Sequence, residues 1–297
     1  MCVRRLPLVQ GLRMLGTGPS GQLGQIPEPD EDCVMEPGQN LRQTLDILAG
    51  KVPVSIPELP SRLDALMRPY QKEGFSFLYR ITEQGFGACL ADDMGLGKTL
   101  QAIAWLDTLR RKGRLEGLPA LSAAPASLLS NWKEEAQRFA PELILRIMHP
   151  SSPDPWQPEK TLRRKDCHAV ITTYGMAART SALADLHFPA IILDEAQAIK
   201  NAGSARSRAI RSLHGERRIA LSGTPVENNL NELWSLMEFL NPGLLGSRKS
   251  FESFTRSLER GYAPLRRLVR PFILRRMKTD PALVPDLPDK TEIPAYC

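Results

Sequence analysis

Residues 91–100 read ADDMGLGKTL, and the fold turns on whether this stretch is a loop that holds phosphate. The pattern GxxxxGK[ST] expects glycine where this chain has Asp92, so the match lacks its first glycine. The rest is in place. Gly95 and Gly97 can take positive φ and turn backbone N–H groups inward on phosphate oxygens, while a helix opening at Lys98 offers its positive end. Lys98 would then reach the β and γ phosphates of a nucleotide, and the Thr99 hydroxyl a Mg2+ ion. Leu100, Ile103, Ala104 and Leu106 continue the helix, and Arg110, Arg111, Lys112 and Gly113 close it. For the tripeptide GKT alone, an ordinary turn before a helix is the competing reading.

The loop sits in a regular alternation. Short apolar runs at 88–91, 120–124, 144–148, 169–173, 190–193 and 217–221 are separated by helical stretches. Alternating strand and helix predicts a parallel sheet covered on both faces. In such sheets ligands bind beyond the carboxyl ends of the strands, where ADDMGLGKT, DEAQ and SGTP all fall. The run FPAIILDEAQ delivers Asp194 and Glu195 to a strand end, where one carboxylate can hold Mg2+ and its neighbour can activate the attacking water. An acidic pair at a helix N-terminus would look the same. Ser222 and Thr224 present hydroxyls at another strand end, or form a plain strand-to-helix turn.

Upstream, SRLDALMRPYQKEGFSFLYRITEQG (61–85) reads as helix, with Pro69 in a first turn and Gly85 as its stop. Residues 1–40 hold six Gly and five Pro without helical or strand periodicity, which predicts a flexible lead-in. LRQTLDIL (41–48) predicts a short helix. The expected partition is a lead-in over 1–60, a nucleotide-binding lobe over 61–240 and a helical extension over 241–297.

Bulk properties agree with a folded, cytoplasmic protein. With 297 residues, 42% hydrophobic and 24% charged, the chain has ordinary globular usage. Its formal charge of +6 leans weakly toward a polyanionic partner. The five cysteines lack CxxC spacing and the four histidines lack ligand spacing, so reduced thiols and no structural metal are expected. No apolar run approaches the ~18 residues of a membrane span.

Taken together, the three strand-end motifs resemble the first RecA-like lobe of helicase superfamily two, and within it the Swi/Snf-related DNA translocases, over about residues 61–295. The resemblance implies an α/β fold: a RecA-like P-loop NTPase lobe with a parallel sheet, helices on both faces and a helical C-terminal extension. ADDMGLGKTLQ looks like motif I, whose family pattern also has Asp at the first-glycine position. The Asp92 carboxylate is then expected to point away from the phosphates and accept loop N–H groups. The resemblance makes ATP and Mg2+ the cofactors and Gln71 the adenine contact, with Arg68 and Tyr70 as helpers, or Tyr70 as a core aromatic. It makes Asp93, Met94, Gly95, Leu96, Gly97, Lys98, Thr99 and Leu100 the nucleotide loop, Lys98, Asp194 and Glu195 catalytic, and Thr99 and Asp194 the Mg2+ ligands.

DEAQAIKN is similar to motif II, with Lys200 and Asn201 in the same loop, and Gln197, Ser222, Gly223 and Thr224 become the coupling set. Motifs Ia and Ib (123–139 and 171–179) nominate Ser127, Asn131, Lys133, Thr173 and Tyr174 for double-stranded DNA, or as caps and surface residues. Ser122 departs from the branched aliphatic usual in such a strand, which touches only local packing. LRRLVRPFILRRMKTD (265–280) carries six Lys or Arg and no acid between 266 and 278, and suggests a phosphate-facing strip or a solvated basic helix.

In the resembled family a second RecA-like lobe follows and brings the transition-state arginines. The expectation is therefore of a fragment, or of half of a split enzyme whose second lobe is separately encoded. An arginine finger accounts for about 10³–10⁵ in rate in comparable phosphoryl transfer, so this chain alone should bind ATP weakly and turn over slowly.

Overall fold

The computed structural model describes residues 39–48, 51–150, 152, 167–223, 230–256 and 262–280. Seven strands form one sheet: β1 (Ala88–Leu90), β2 (Ala120–Ala124), β3 (Leu145–Met148), β4 (Ala169–Thr173), β5 (His187–Leu193), β6 (His214–Leu221) and β7 (Ile273–Leu274). Their order is β3-β4-β2-β5-β6-β1-β7, and every pairing is parallel. The six apolar runs became six strands because β1 and β2 are buried along their whole length and β4 nearly so. A strand that is covered on both faces reads as a continuous hydrophobic run.

The helices are α1 (Gln39–Leu48), α2 (Ser61–Leu66), α3 (Pro69–Glu83), α4 (Lys98–Arg111), α5 (Leu129–Phe139), α6 (Tyr174–Arg179), α7 (Ala205–Arg211), α8 (Leu230–Leu240), α9 (Arg248–Arg256) and α10 (Ala263–Val269). Right-handed crossovers applied to this strand order put α4 and α5 on one face and α6 and α7 on the other. The packing agrees, since α4 contacts α3 and α5, and α7 contacts α6 and α8. The loop after β1 thus feeds one face and those after β5 and β6 the other, which opens a crevice at the carboxyl edge of the sheet. Trp105, Trp132, Phe75 and Phe188 are among the large side chains fully enclosed beneath it.

Two local expectations change. The stretch 61–85 is two helices, because Pro69 holds Arg68 in an extended conformation (φ −66, ψ 155) and stops the first at Leu66. The basic stretch 265–280 is no continuous basic helix: α10 passes through a 3-10 turn (Arg270–Phe272) into β7, which adds itself to the sheet beside β1. Cys89 and Cys167 are buried, and burial pushes the Cys89 thiol up to about 12. Among the described residues no helix is long and apolar enough to cross a membrane.

Candidate active site

The phosphate loop leaves β1 as a continuation of the sheet: Ala91 N–H donates to the Leu274 carbonyl and Asp93 N–H to that of Arg276. The chain then needs two left-handed residues, and Gly95 (φ +83) and Gly97 (φ +74) supply them before α4 begins at Lys98. Lys98 is buried, and its ammonium folds back on the loop to donate to the carbonyls of Asp92 (2.6 Å) and Asp93 (3.2 Å). Burial lowers its pKa, against which Glu195, Asp92, Asp194 and Asp93 act in that order. Lys98 and the acid pair therefore share one electrostatic neighbourhood, although 96 residues separate Lys98 from Asp194 in the chain (194 minus 98).

The remaining loop residues divide by exposure. Met94 is exposed, whereas Leu96 packs on Tyr70 and Leu100 lies in the core, so the two leucines offer a ligand only backbone. Thr99 is half-buried in the first turn of α4. Gln71 is buried beside the loop. Its Nε2 donates to the Leu96 carbonyl (3.2 Å), and its Oε1 accepts from Arg68 N–H (3.0 Å) in a reciprocal cap of α3. A side chain at Gly97 would collide with the Gln71 amide, so the loop and the candidate adenine contact need glycine there.

At the end of β5, Asp194 N–H donates to the Ala123 carbonyl and extends the ladder with β2. The Asp194 carboxylate is 4% exposed; Oδ2 accepts from Trp132 Nε1 (2.7 Å) and Oδ1 from the Glu195 N–H (2.9 Å). Burial pushes its carboxyl up, the Trp132 hydrogen bond opposes this, and Glu195 adds to it. Glu195 has φ +50, the sole positive φ outside glycine among the described residues. A non-glycine residue held in this region carries strain, which concentrates at functional sites. Its Oε2 accepts from Gln197 Nε2 (2.6 Å), and Gln197 Oε1 accepts from Ser222 Oγ (3.2 Å). Ser222 N–H in turn donates to the Leu90 carbonyl, so the ends of β5, β6 and β1 are joined by hydrogen bonds. Gly223 lies against Met94 of the loop. Thr224 lies outside the described residues.

The donors fit a Mg2+ held together with phosphates. Such an ion takes one or two carboxylates and completes its shell with phosphate oxygens and water. Asp194 and Thr99 supply that much, and among the described residues no group of three or more His, Cys, Asp or Glu forms a cage of its own.

The nucleic-acid set separates. Ser127, Asn131 and Lys133 are exposed on or just before α5, with the Asn131 amide donating to Glu135 (3.0 Å). Thr173 is occupied as the N-cap of α6, its hydroxyl accepting from Met176 N–H. Tyr174 must be withdrawn as a surface contact: it is buried, and its hydroxyl donates to the Asp194 carbonyl (2.7 Å), under the acid pair.

Three residues escaped the sequence reading. Trp132, within the 123–139 stretch, is the indole that donates to Asp194 Oδ2. Gln101, one turn into α4, donates to the Leu96 (3.3 Å) and Gly97 (3.2 Å) carbonyls. Arg276 lies in the run read as basic surface, yet it is buried on Asp92, whose carboxylate accepts from its N–H (3.1 Å), Nε (3.0 Å) and NH2 (2.5 Å). The expectation that Asp92 accepts loop N–H groups is thereby corrected. The sequence did hold one signal, an acid where the motif expects glycine, since a buried carboxylate needs a counterion.

A parallel sheet with a glycine-hinged lysine loop, an acid pair and a hydroxyl at adjoining strand ends defines a RecA-like P-loop ATPase lobe. The chain belongs to the SNF2-related family, whose domain matches residues 70–297. It is 45% identical over 233 residues to YwqA of Bacillus subtilis, named as an ATP-dependent helicase/translocase, covering 76% of this chain and 25% of YwqA. It is 35% identical to the chromatin-remodeling ATPase INO80 of Pyricularia oryzae, covering 91% of this chain and 14% of that protein. The SWI2/SNF2 ATPase core of Sulfolobus solfataricus in complex with dsDNA superimposes with a TM-score of 0.70 at 41% identity, covering 79% of this chain and 49% of that core. The chain thus spans a quarter or less of these two curated relatives and about half of the solved core.

Proposed function

We propose that this chain is the ATP-binding lobe of a double-stranded-DNA-stimulated ATPase of the Swi/Snf type, which hydrolyses ATP to ADP and phosphate and couples this to DNA tracking in the complete enzyme. The observation that carries the reading is the meeting, at the carboxyl edge of one parallel sheet, of the glycine loop that opens a helix at Lys98, the Asp194–Glu195 pair after β5 and Ser222 after β6, the last two joined through Gln197.

On ATP binding, Lys98 exchanges its two loop carbonyls for phosphate oxygens, which regain for its charge what burial took away. Backbone N–H groups around Gly95 and Gly97, with the N-terminus of α4, hold the phosphates. Gln71 faces the adenine. Asp194 and Thr99 would hold Mg2+, which neutralises phosphate charge when bound. Glu195 orients the attacking water and accepts its proton. Because Gln197 joins Glu195 to Ser222, loss of the γ-phosphate at Glu195 is felt at the end of β6, which is the coupling role given to Gln197, Ser222, Gly223 and Thr224.

Duplex DNA is read along Ser127, Asn131, Lys133 and Thr173. The relative solved with dsDNA and the translocase name of YwqA support this partner. Full turnover calls for a second RecA-like lobe, on the same polypeptide or separately encoded. The cytoplasm is the proposed location.

ATP hydrolysis should be measured with and without duplex DNA, for this chain alone and with a second lobe added. Slow hydrolysis alone and DNA-stimulated hydrolysis in the mixture are expected. ATP and duplex binding without turnover in any mixture would favour a binding module instead.

A further inference from the structure

Arg276 does more than satisfy Asp92. Its guanidinium also donates to the Tyr70 carbonyl through NH1 and to Gln101 Oε1 (3.0 Å) through NH2, and stacks 5.3 Å from the centre of the Tyr70 ring. The side chains of the pair are 7% and 0% exposed. Three separate pieces of chain meet there. Tyr70 belongs to the helix that carries Gln71, Asp92 and Gln101 hold the phosphate loop, and Arg276 lies just past β7 on the segment that leads away from it. Gly74 makes this meeting possible, since a Cβ there would strike Gln101 Oε1 and come within 2.6 Å of Arg276 NH2. The outgoing segment is bonded to the loop once more, where Lys278 N–H donates to Asp93 Oδ2 (2.9 Å).

A loop that owes its path to Gly95 and Gly97 has much backbone freedom to lose when a ligand orders it. Groups that fix it beforehand remove that cost from binding. Asp92 stands where the general motif has its first glycine, and a buried, doubly bonded arginine holds it there.

We infer that Arg276 is a positioning residue for nucleotide binding, which braces the phosphate loop through Asp92 and couples nucleotide occupancy to the outgoing segment 273–280. The inference rests on the ATP reading above. Coupling is reciprocal: what the segment does for ATP affinity, ATP does for the order of the segment.

The test compares the parent with Lys98→Ala, Arg276→Ala, Arg276→Lys and the paired Asp92→Leu/Arg276→Met. The paired change removes both charges together and so keeps the fold if Arg276→Ala alone does not. Affinity for ATP with Mg2+ is measured by titration calorimetry below each melting transition, and amide exchange of 273–280 is followed with and without ATP. The folded paired variant should bind ATP about tenfold more weakly, the cost of re-ordering roughly one loop residue. Arg276→Lys should recover part of this. ATP should slow exchange of 273–280 in the parent and not in the paired variant. A folded paired variant that binds ATP like the parent, with the segment still slowed, would overturn the inference and leave the ATP reading standing. A parent whose ATP affinity equals that of Lys98→Ala would end both.

Discussion

Asp92 and Asp194 stand at the carboxyl ends of β1 and β5, both buried, and their surroundings could hardly differ more. Asp92 is gripped by an arginine of the same chain, through backbone and guanidinium together. Asp194 accepts from an indole and a peptide N–H, both neutral, and burial pushes its carboxyl up. The fold balances the first charge from within, so Asp92 serves as a brace. The second remains costly to ionise, which suits the Mg2+ role proposed for Asp194, since a bound cation would favour its charged form.

The contrast has measurable consequences for stability. Arg276→Ala leaves the Asp92 charge buried without its partner and should cost about 3–5 kcal/mol, the usual penalty for half of a buried pair. That corresponds to a melting point lower by roughly 10 °C in a domain of this size, read by scanning calorimetry. Asp194→Ala should cost about 1 kcal/mol or less, because desolvation relieved offsets the hydrogen bonds lost. Equal losses in the two variants would erase the distinction. Glu195→Gln should keep ATP affinity while removing about 10²–10⁴ of any residual turnover, a general-base effect seen in single-turnover assays.

Smaller effects follow from the same reasoning. Ser122 Oγ is buried in β2 with no hydrogen-bond partner among the described residues, so Ser122→Ala should stabilise by about 1 kcal/mol in denaturant titrations. The subtlest concerns pH. A carboxyl whose folded pKa lies above its ordinary 3.8 holds its proton longer in the folded chain. At this group stability therefore falls as pH rises from 3.8 through the raised value and stays lower above it. Asp194→Ala should reduce that decline. Glu135 and Glu238, also pushed up by burial, will retain part of it.

What the sequence disclosed divides along the same line. The six apolar runs, the GKT loop and the DEAQ strand end are local patterns, and each landed where the alternation put it. β7 did not show itself because a two-residue strand, the IL within FILRR, carries no period and lies in a basic run. It joins the sheet from a region assigned to an extension. The Asp92–Arg276 pair spans 184 residues, a distance no spacing rule covers. Tyr174 and Trp132 were readable as aromatics near motifs, but which way each points is decided by tertiary packing. Gln101 looked like one more polar residue of α4, although it is fully buried there.

The most direct test of the central claim is titration calorimetry of ATP, with and without Mg2+, against the parent, Lys98→Ala and Asp194→Ala. The parent should bind. Lys98→Ala should lose about a hundredfold or more, since charge-assisted bonds are worth ~1.5–3 kcal/mol each. Asp194→Ala should keep its affinity for metal-free ATP and lose the gain that Mg2+ brings. Parent-like binding by Lys98→Ala would show that the loop after β1 is not where the triphosphate sits.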